Sequence, residues 1–109
     1  MKKIEAVLRT SRLDEVVSRL RLIGATGMTV SAVHGLSVAD GAPHQPPPPK
    51  TAGPRYELMI VVSDDDAPHV VRAILHSGHT GSPGDGIVTV TDVDGVMRIR
   101  TGETDADAL

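Results

Sequence analysis

The order in which two hydrophobic periodicities alternate along this chain is the feature that most restricts its fold. Apolar residues recur at every second position from Ile4 to Leu8, which is typical of a strand with one buried face. Between residues 13 and 23 they recur instead at helical spacing, and Gly24 follows as a helix end. We predict a strand followed by a helix whose N-cap is Ser11.

The rest of the chain repeats these two periods. We predict strands at residues 28–36, 56–62 and 87–93, and an extension of the last strand over 96–100. A second helix is predicted to begin at Asp64–Asp66, which supply cap and first-turn charge, and to end at Gly78. The order β-α-β-β-α-β is that of the ferredoxin-like α+β fold, in which two helices cover one face of a four-stranded antiparallel sheet.

Length and composition fit one domain with an aliphatic core. The chain has 109 residues, contains no Phe or Trp, and has Tyr56 as its single aromatic residue. In the third strand Leu58, Ile60 and Val62 alternate with Met59 and Val61, so both faces of that strand are apolar. Two helices can cover only one face of the sheet. We therefore expect another copy of the chain to cover the second face.

Charge and composition exclude several classes of function. A formal net charge of −3 and a single aromatic residue argue against nucleic-acid binding. The absence of Cys excludes disulfides, thiolate metal sites and cysteine catalysis. No apolar run is long enough to insert into a membrane. The sequence predicts a soluble, cytoplasmic domain.

A proline-rich segment interrupts the regular pattern between residues 37 and 55. It contains four consecutive prolines, Pro46–Pro49, which favour extended polyproline II geometry. The segment is either a surface connection or a functional loop. We favour a functional loop, because a connection this long is uncommon in a small domain.

Two features near the end of the chain indicate an anion site. The segment 80–87 contains Gly81, Gly84 and Gly86, whose backbone can approach an anion closely. Arg98 and Arg100 are two positions apart on the predicted last strand and would project from one face. Taken singly, the loop could be only a turn, and the arginines could be solvated or paired with the acidic tail of residues 101–109, within the C-terminal segment 99–109. We expect the tail 101–109 to be loosely held.

Metal binding and catalysis find less support in the residues. His76 and His79 are spaced to share a helical face, but no further ligand set is evident. No paired carboxylates and no Ser-His-Asp spacing stand out, and the chain has no Asn. We expect no enzymatic role, although slow hydrolysis of a nucleotide stays open as a minor activity.

Four segments, in the right order and at similar spacing, resemble the PII signal-transduction family. They are residues 1–6, 24–30, 80–86 and 96–103. The resemblance runs from end to end except between about 37 and 54.

The resemblance implies a homotrimer with an adenine-nucleotide cleft between each pair of subunits. Gly84, Asp85 and Gly86 of the 80–87 loop would wrap the phosphates, which Arg98 and Arg100 would reach from the neighbouring subunit. The positions implied at the adenine pocket are Val7, Gly27, Met28, Thr29 and Val61, and those at the loop base are Gly35, Leu36 and Ser37. The segment 37–55 would contact a target protein.

Several positions depart from the family's usual pattern. Ala39 replaces a glutamine that helps hold magnesium and 2-oxoglutarate, and Val38 replaces a basic residue. Ile87 replaces a lysine, while Arg55 replaces the lysine that receives 2-oxoglutarate and is a candidate anion contact. Fewer cations favour a less charged ligand. We expect ADP or AMP to bind at least as well as Mg-ATP and 2-oxoglutarate to have a weak effect or none; a role for Mg²⁺ stays open.

The resulting hypothesis is a regulator that binds ADP, AMP or ATP and acts on an unidentified target, a transporter or an enzyme. The alternatives are an ordinary ATP- and 2-oxoglutarate-sensing nitrogen regulator, a regulator of transport or inorganic-carbon uptake, and a metal-responsive trimer that uses His76 and His79.

Overall fold

A computed structural model of the protein describes residues 1–38 and 49–109. The strands are β1 (Lys2–Arg9), β2 (Thr29–Val38), β3 (Pro49–Val62) and β4 (Ile87–Asp92), and the helices are α1 (Leu13–Leu22) and α2 (Ala67–Gly78). Two short 3₁₀ helices span Thr10–Arg12 and Asp105–Ala108.

The four strands form one antiparallel sheet in the order β2-β3-β1-β4. The strand β1 lies between β3 and β4, where Val7 is opposite both Glu57 and Ile87. This arrangement confirms the predicted ferredoxin-like α+β fold.

The core between the sheet and the helices is aliphatic. Alternate residues of β1 and β3 face α1 and α2, which bury the complementary positions of their apolar stripes. The largest side chains without solvent exposure are Ile4, Val16, Leu20, Leu58 and Ile74. Burial of each contributes roughly 1.5–3 kcal/mol relative to an exposed position.

Both helices begin differently from the sequence prediction. Ser11 lies inside the 3₁₀ turn Thr10–Arg12, so α1 begins at Leu13 without a side-chain cap. At α2 the three aspartates make no capping hydrogen bond. The hydroxyl of Ser63 instead accepts the N–H of Asp66 at 3.2 Å, in the turn that leads into the helix. The prediction of Ser11 as a cap was therefore wrong. Asp66 does occupy the N-cap position of α2, although without a capping hydrogen bond, and Gly24, at φ +93°, ends α1 as expected.

Much of the predicted 37–55 loop belongs to strands. The strand β2 continues to Val38 and β3 begins at Pro49, and the two stay paired with a bulge between Gly35 and Leu36. Pro54 fits in β3 because β1 begins to pair only at Arg55, so this stretch has β2 alone as its neighbour. Residues 39–48, which include Ala39 and Pro46–Pro48, lie outside the described residues.

The C-terminal segment also differs from the prediction. The strand β4 ends at Asp92, and the chain then forms a tight hairpin in which Met97 bridges Thr104. The N–H of Arg98 donates to Glu103 O, and the N–H of Gly102 donates to Arg98 O, both at 2.8 Å. Arg98 therefore precedes a turn that contains Arg100, and the two do not share a strand face, because the chain leaves the sheet after Asp92.

The C-terminal tail makes contacts with the rest of the chain that the sequence analysis did not predict. The N–H of Asp105 donates to Val96 O at 2.8 Å, and Ala108 is 9% exposed. Residues beyond Thr101 are thus held against the body of the domain.

The second face of the sheet has a charged centre. The register makes Glu5 and Glu57 diagonal neighbours, and Lys3 lies 2.9 Å from Glu5. The hydrogen bond with Glu5, together with partial burial, raises the pKa of Glu57, whereas the hydrogen bond from Lys3 lowers the pKa of Glu5. Met59 and Val61, the apolar residues of β3 on this face, lie opposite Glu5 and Lys3 of β1, so the face is apolar along part of β3 and charged beside it.

Replacing Glu57 by Gln should stabilise the protein at neutral pH. Because folding raises the pKa of Glu57, its favourable contribution exists at acid pH and is lost as the pH rises through the folded-state pKa. Gln cannot ionise, so the Tm of Glu57→Gln at pH 7 should exceed that of the parent by a few degrees. At pH 4 the difference should shrink.

Thermal unfolding followed by circular dichroism at the two pH values measures this effect. The exposed Glu103, whose side chain pairs with no described cation, provides the control Glu103→Gln, for which no such change is expected. Equal Tm values for Glu57→Gln and parent at pH 7 would contradict the prediction.

Candidate functional site

A cavity of about 880 Å³ lies beside the start of β2, the end of β3 and the C-terminal hairpin. Five of the residues predicted to bind a ligand line it: Gly27, Met28, Thr29, Val61 and Arg98. Its volume is within the range of small-molecule sites, roughly 300–1,000 Å³.

The chemistry of this cavity is divided between an apolar wall and a cation. Met28 and Val61 are half-buried, and Thr29 adds a hydroxyl beside them. Arg98 reaches the cavity from the hairpin, and its Nη2 donates to Ala108 O at 2.9 Å. The last 3₁₀ helix therefore positions Arg98. An apolar slot with a hydroxyl and a nearby guanidinium suits a heterocyclic base that carries an anionic group.

Two residues at the start of α2 that sequence analysis did not select as ligand contacts also line this cavity. Asp66 lies just before the first turn of α2, and His69 lies in that turn. The sequence carried no signal for them, because only the fold brings this turn beside the start of β2.

The glycine-rich loop is built around the carboxylate of Asp85. One oxygen, Oδ2, accepts the N–H of Thr80 at 2.9 Å and that of Gly81 at 3.0 Å. The other, Oδ1, accepts the Thr80 hydroxyl and the Nε of Arg9, the latter at 2.9 Å. The hydrogen bonds from Thr80, followed by that from Arg9, hold the pKa of Asp85 well below its usual range. Its carboxylate faces inward, onto its own loop.

Arg9 at the end of β1 fastens this loop to the sheet. Besides its bond to Asp85, its Nη2 donates to Pro83 O at 2.6 Å. Sequence analysis missed this role. The position of Arg9 could have indicated it, because Arg9 lies two residues after Val7 and so shares the face of β1 on which Val7 lies.

Two glycines of the loop occupy backbone conformations that suit few other residues. Gly84 has φ +101° and Gly86 has φ +94°. A Cβ on Gly86 would overlap the carbonyl oxygen of Val7, and one on Gly84 would lie 3.0 Å from a guanidinium nitrogen of Arg55. Gly86 is therefore required by the close approach of the loop to β1, whereas Gly84 is favoured by its positive φ, since the arginine side chain beside it can move.

The predicted site residues form separate groups within one chain. Val7, Asp85 and Gly86 line a cavity of about 100 Å³ that shares no residue with the large cavity. Gly35, Leu36 and Ser37 lie in the β2–β3 ladder, and Arg100 lies in the exposed hairpin turn. A single copy therefore brings together four of the five residues implied for the base and one of the two arginines, whereas Val7 lies with the phosphate loop in the small cavity.

The histidines do not share a helix face as expected. His76 is in the last turn of α2, whereas His79 follows the helix with extended backbone. Within residues 1–38 and 49–109, no group of three His, Cys, Asp or Glu side chains is placed to hold a metal ion.

Comparison with known proteins gives one consistent family. A family model described as Nitrogen regulatory protein P-II matches residues 1–103. The Nitrogen regulatory protein P-II of Pasteurella multocida (strain Pm70) is 38% identical over 116 residues, and that of Rhizobium meliloti (strain 1021) is 37% identical over 112, with 100% of both chains covered in each case. Nitrogen regulatory protein P-II 1 of Methanothermobacter thermautotrophicus is 40% identical over 117 residues, covering 100% of this chain and 97% of the relative.

The ferredoxin-like sheet and its glycine-rich loop thus belong to a signalling class of protein. The chain is a member of the nitrogen regulatory protein P-II family, as its sequence resemblance indicated. Among the helices that the structure describes, none is long and apolar enough to cross a membrane.

Replacing Gly86 by Ala should destabilise the fold. Alanine at this positive φ is strained, and its Cβ would meet the Val7 carbonyl, so we expect a loss of roughly 2 kcal/mol or more in the free energy of unfolding. Urea denaturation measures the change. The control is Gly27→Ala, since a Cβ at Gly27 meets no atom within 4 Å. Equal losses in the two variants would show that the close approach to Val7 does not require glycine.

Proposed function

We propose that this chain forms a homotrimeric signalling protein that binds an adenine nucleotide in clefts between its copies. The observation that carries the proposal is the separation of the predicted ligand residues within one chain. The cavity with Met28, Thr29 and Arg98 shares no residue with the cavity at Val7 and Gly86. A complete site therefore needs two copies of the chain. One copy would supply the glycine-rich loop, and the other would supply the large cavity or the C-terminal hairpin beside it.

The chemistry of the two parts supports a nucleotide as the ligand. Met28 and Val61 offer an apolar surface to a base, and the Thr29 hydroxyl offers a hydrogen bond. Arg98 and Arg100 offer guanidinium groups to phosphates. Arg100 is exposed, and no carboxylate within residues 1–38 and 49–109 pairs with it. Its charge is therefore available to a ligand.

The charges near the loop favour a short phosphate chain. Asp85 already pairs with Arg9, and Ile87, the first residue of β4, brings an aliphatic side chain where the family has a lysine. Arg55 adds a cation beside Gly84, with its Nη1 donating to Pro54 O at 2.9 Å. We therefore propose that ADP or AMP binds at least as well as Mg-ATP. Arg55 is the proposed contact for a further small anion, and 2-oxoglutarate, a dianion, gains little from a single such cation.

The proposed output is regulation of a target protein, a transporter or an enzyme, through residues 37–55. The ends of this segment are strands that extend the β2–β3 ladder away from the sheet. Nucleotide changes the affinity for the target only if it binds the two states of the segment unequally. Relatives named Nitrogen regulatory protein P-II support a pathway of nitrogen regulation as the first to test. Catalysis is not part of the proposal.

Replacing Arg100 by Ala should weaken ADP binding without changing stability. Its side chain is exposed, so folding should be unaffected, but charge-assisted hydrogen bonds to phosphate would be lost. We expect the Kd for ADP to rise about tenfold or more, measured by isothermal titration calorimetry. Arg100 gives a cleaner test than Arg98, which also holds Ala108.

Arg21→Ala is the matched control, because Arg21 is an exposed arginine on α1 that lines neither of the two cavities formed by predicted ligand residues. Its Kd for ADP should equal that of the parent. An unchanged Kd in Arg100→Ala would remove Arg100 from the site. Failure of the parent to bind AMP, ADP or ATP would overturn the proposed function.

A further inference from the structure

We propose that Arg9 and Asp85 act together as positioning residues, holding the loop 80–86 in the shape that receives phosphates without touching the nucleotide themselves. This inference rests on the proposed nucleotide binding and deepens it. It assigns a role to Arg9, which sequence analysis did not select, and it gives Asp85 a role different from direct contact with the ligand.

Asp85 closes the loop from within. Its carboxylate accepts hydrogen bonds from both the N–H and the hydroxyl of Thr80 and from the N–H of Gly81. These bonds tie the start of the loop to its end. Because this carboxylate is negatively charged and already accepts several hydrogen bonds, it is poorly suited to contact a phosphate. It is well suited to hold the loop backbone, which would make that contact.

Arg9 fixes the closed loop relative to the sheet. Its guanidinium donates to Asp85 through Nε at 2.9 Å and to Pro83 O through Nη2 at 2.6 Å, so two points of the loop attach to one rigid, planar group. The backbone of Arg9 lies in β1 opposite Arg55. Arg9 therefore fixes the position of the loop relative to the end of β1, a central strand of the sheet.

This arrangement predicts an effect that is confined to the phosphate end of the ligand. The loop and Arg9 lie apart from the large cavity, which contains Met28 and Thr29 and shares no residue with the loop cavity. Loosening the loop should therefore weaken the binding of nucleotides with longer phosphate chains more than it weakens the binding of AMP. A loss of global stability would instead weaken the binding of all these nucleotides to the same extent.

The test compares Arg9→Gln, Asp85→Asn, the double variant and the conservative Arg9→Lys. Calorimetric titration with AMP and ADP gives the ratio of their Kd values for each variant. Amide hydrogen exchange, measured by NMR without ligand, reports directly on Gly81, whose N–H is bound by Asp85. Arg21→Gln is the control for loss of one exposed arginine.

We expect Arg9→Gln and Asp85→Asn each to raise the Kd for ADP about tenfold and the Kd for AMP by clearly less. The double variant should resemble either single variant, because both break one unit. Arg9→Lys should recover only part of the loss, since lysine keeps the charge but lacks the planar fork. The Gly81 amide should exchange faster in Asp85→Asn than in the parent and the control.

Other results would overturn the inference. If Asp85→Asn raises the Kd for ADP while Arg9→Gln leaves the Kd for ADP unchanged, Asp85 contacts the ligand directly. If both variants bind ADP as the parent does, the loop needs no clamp, and the proposed function stands without it. If the parent binds no nucleotide, the proposed function fails, and the inference fails with it.

Discussion

The pairing of β1 with β3 on one side and β4 on the other is the constraint on which the rest of the structure depends. It places Ile4, Ala6 and Leu8 under the helices and leaves Lys3, Glu5, Val7 and Arg9 on the opposite face. A shift of one residue would exchange these two sets. It would bury charge in the core and would remove Arg9 from the glycine-rich loop, so packing and site are set by the same register.

Local patterns in the sequence predicted the elements well and their ends poorly. Alternation in β1 and helical spacing in α1 and α2 follow from burial on one face, which acts over many residues and survives errors of detail. Ser11 failed as a cap because it lies inside a 3₁₀ turn, whereas Asp66 occupies the N-cap position of α2 without a capping hydrogen bond. The charged centre of the second sheet face required the register, since Glu5 and Glu57 are far apart in sequence.

The residues of the candidate site likewise differ in whether the sequence could predict them. Gly84 and Gly86 were predictable, because the loop uses positive φ at both positions, and at Gly86 the backbone also passes too close to the Val7 carbonyl for a side chain. Family resemblance selected Gly27, Met28, Thr29, Val61 and Arg98, which the structure gathers around one cavity. Arg9 could not be selected by residue type, because its importance comes from the tertiary contact between the end of β1 and the loop. The roles of Ala39 and of the prolines at 46–48 concern residues outside the described part of the chain.

The central claim is that a nucleotide binds between copies of this chain and not within one. Native mass spectrometry of the protein with increasing ADP tests it most directly, because it counts chains and ligands in the same particle. The predicted result is a trimer that takes up ADP to one molecule per chain, with no ADP on any monomer. A monomer that retains ADP, or a trimer that takes up none, would contradict the claim.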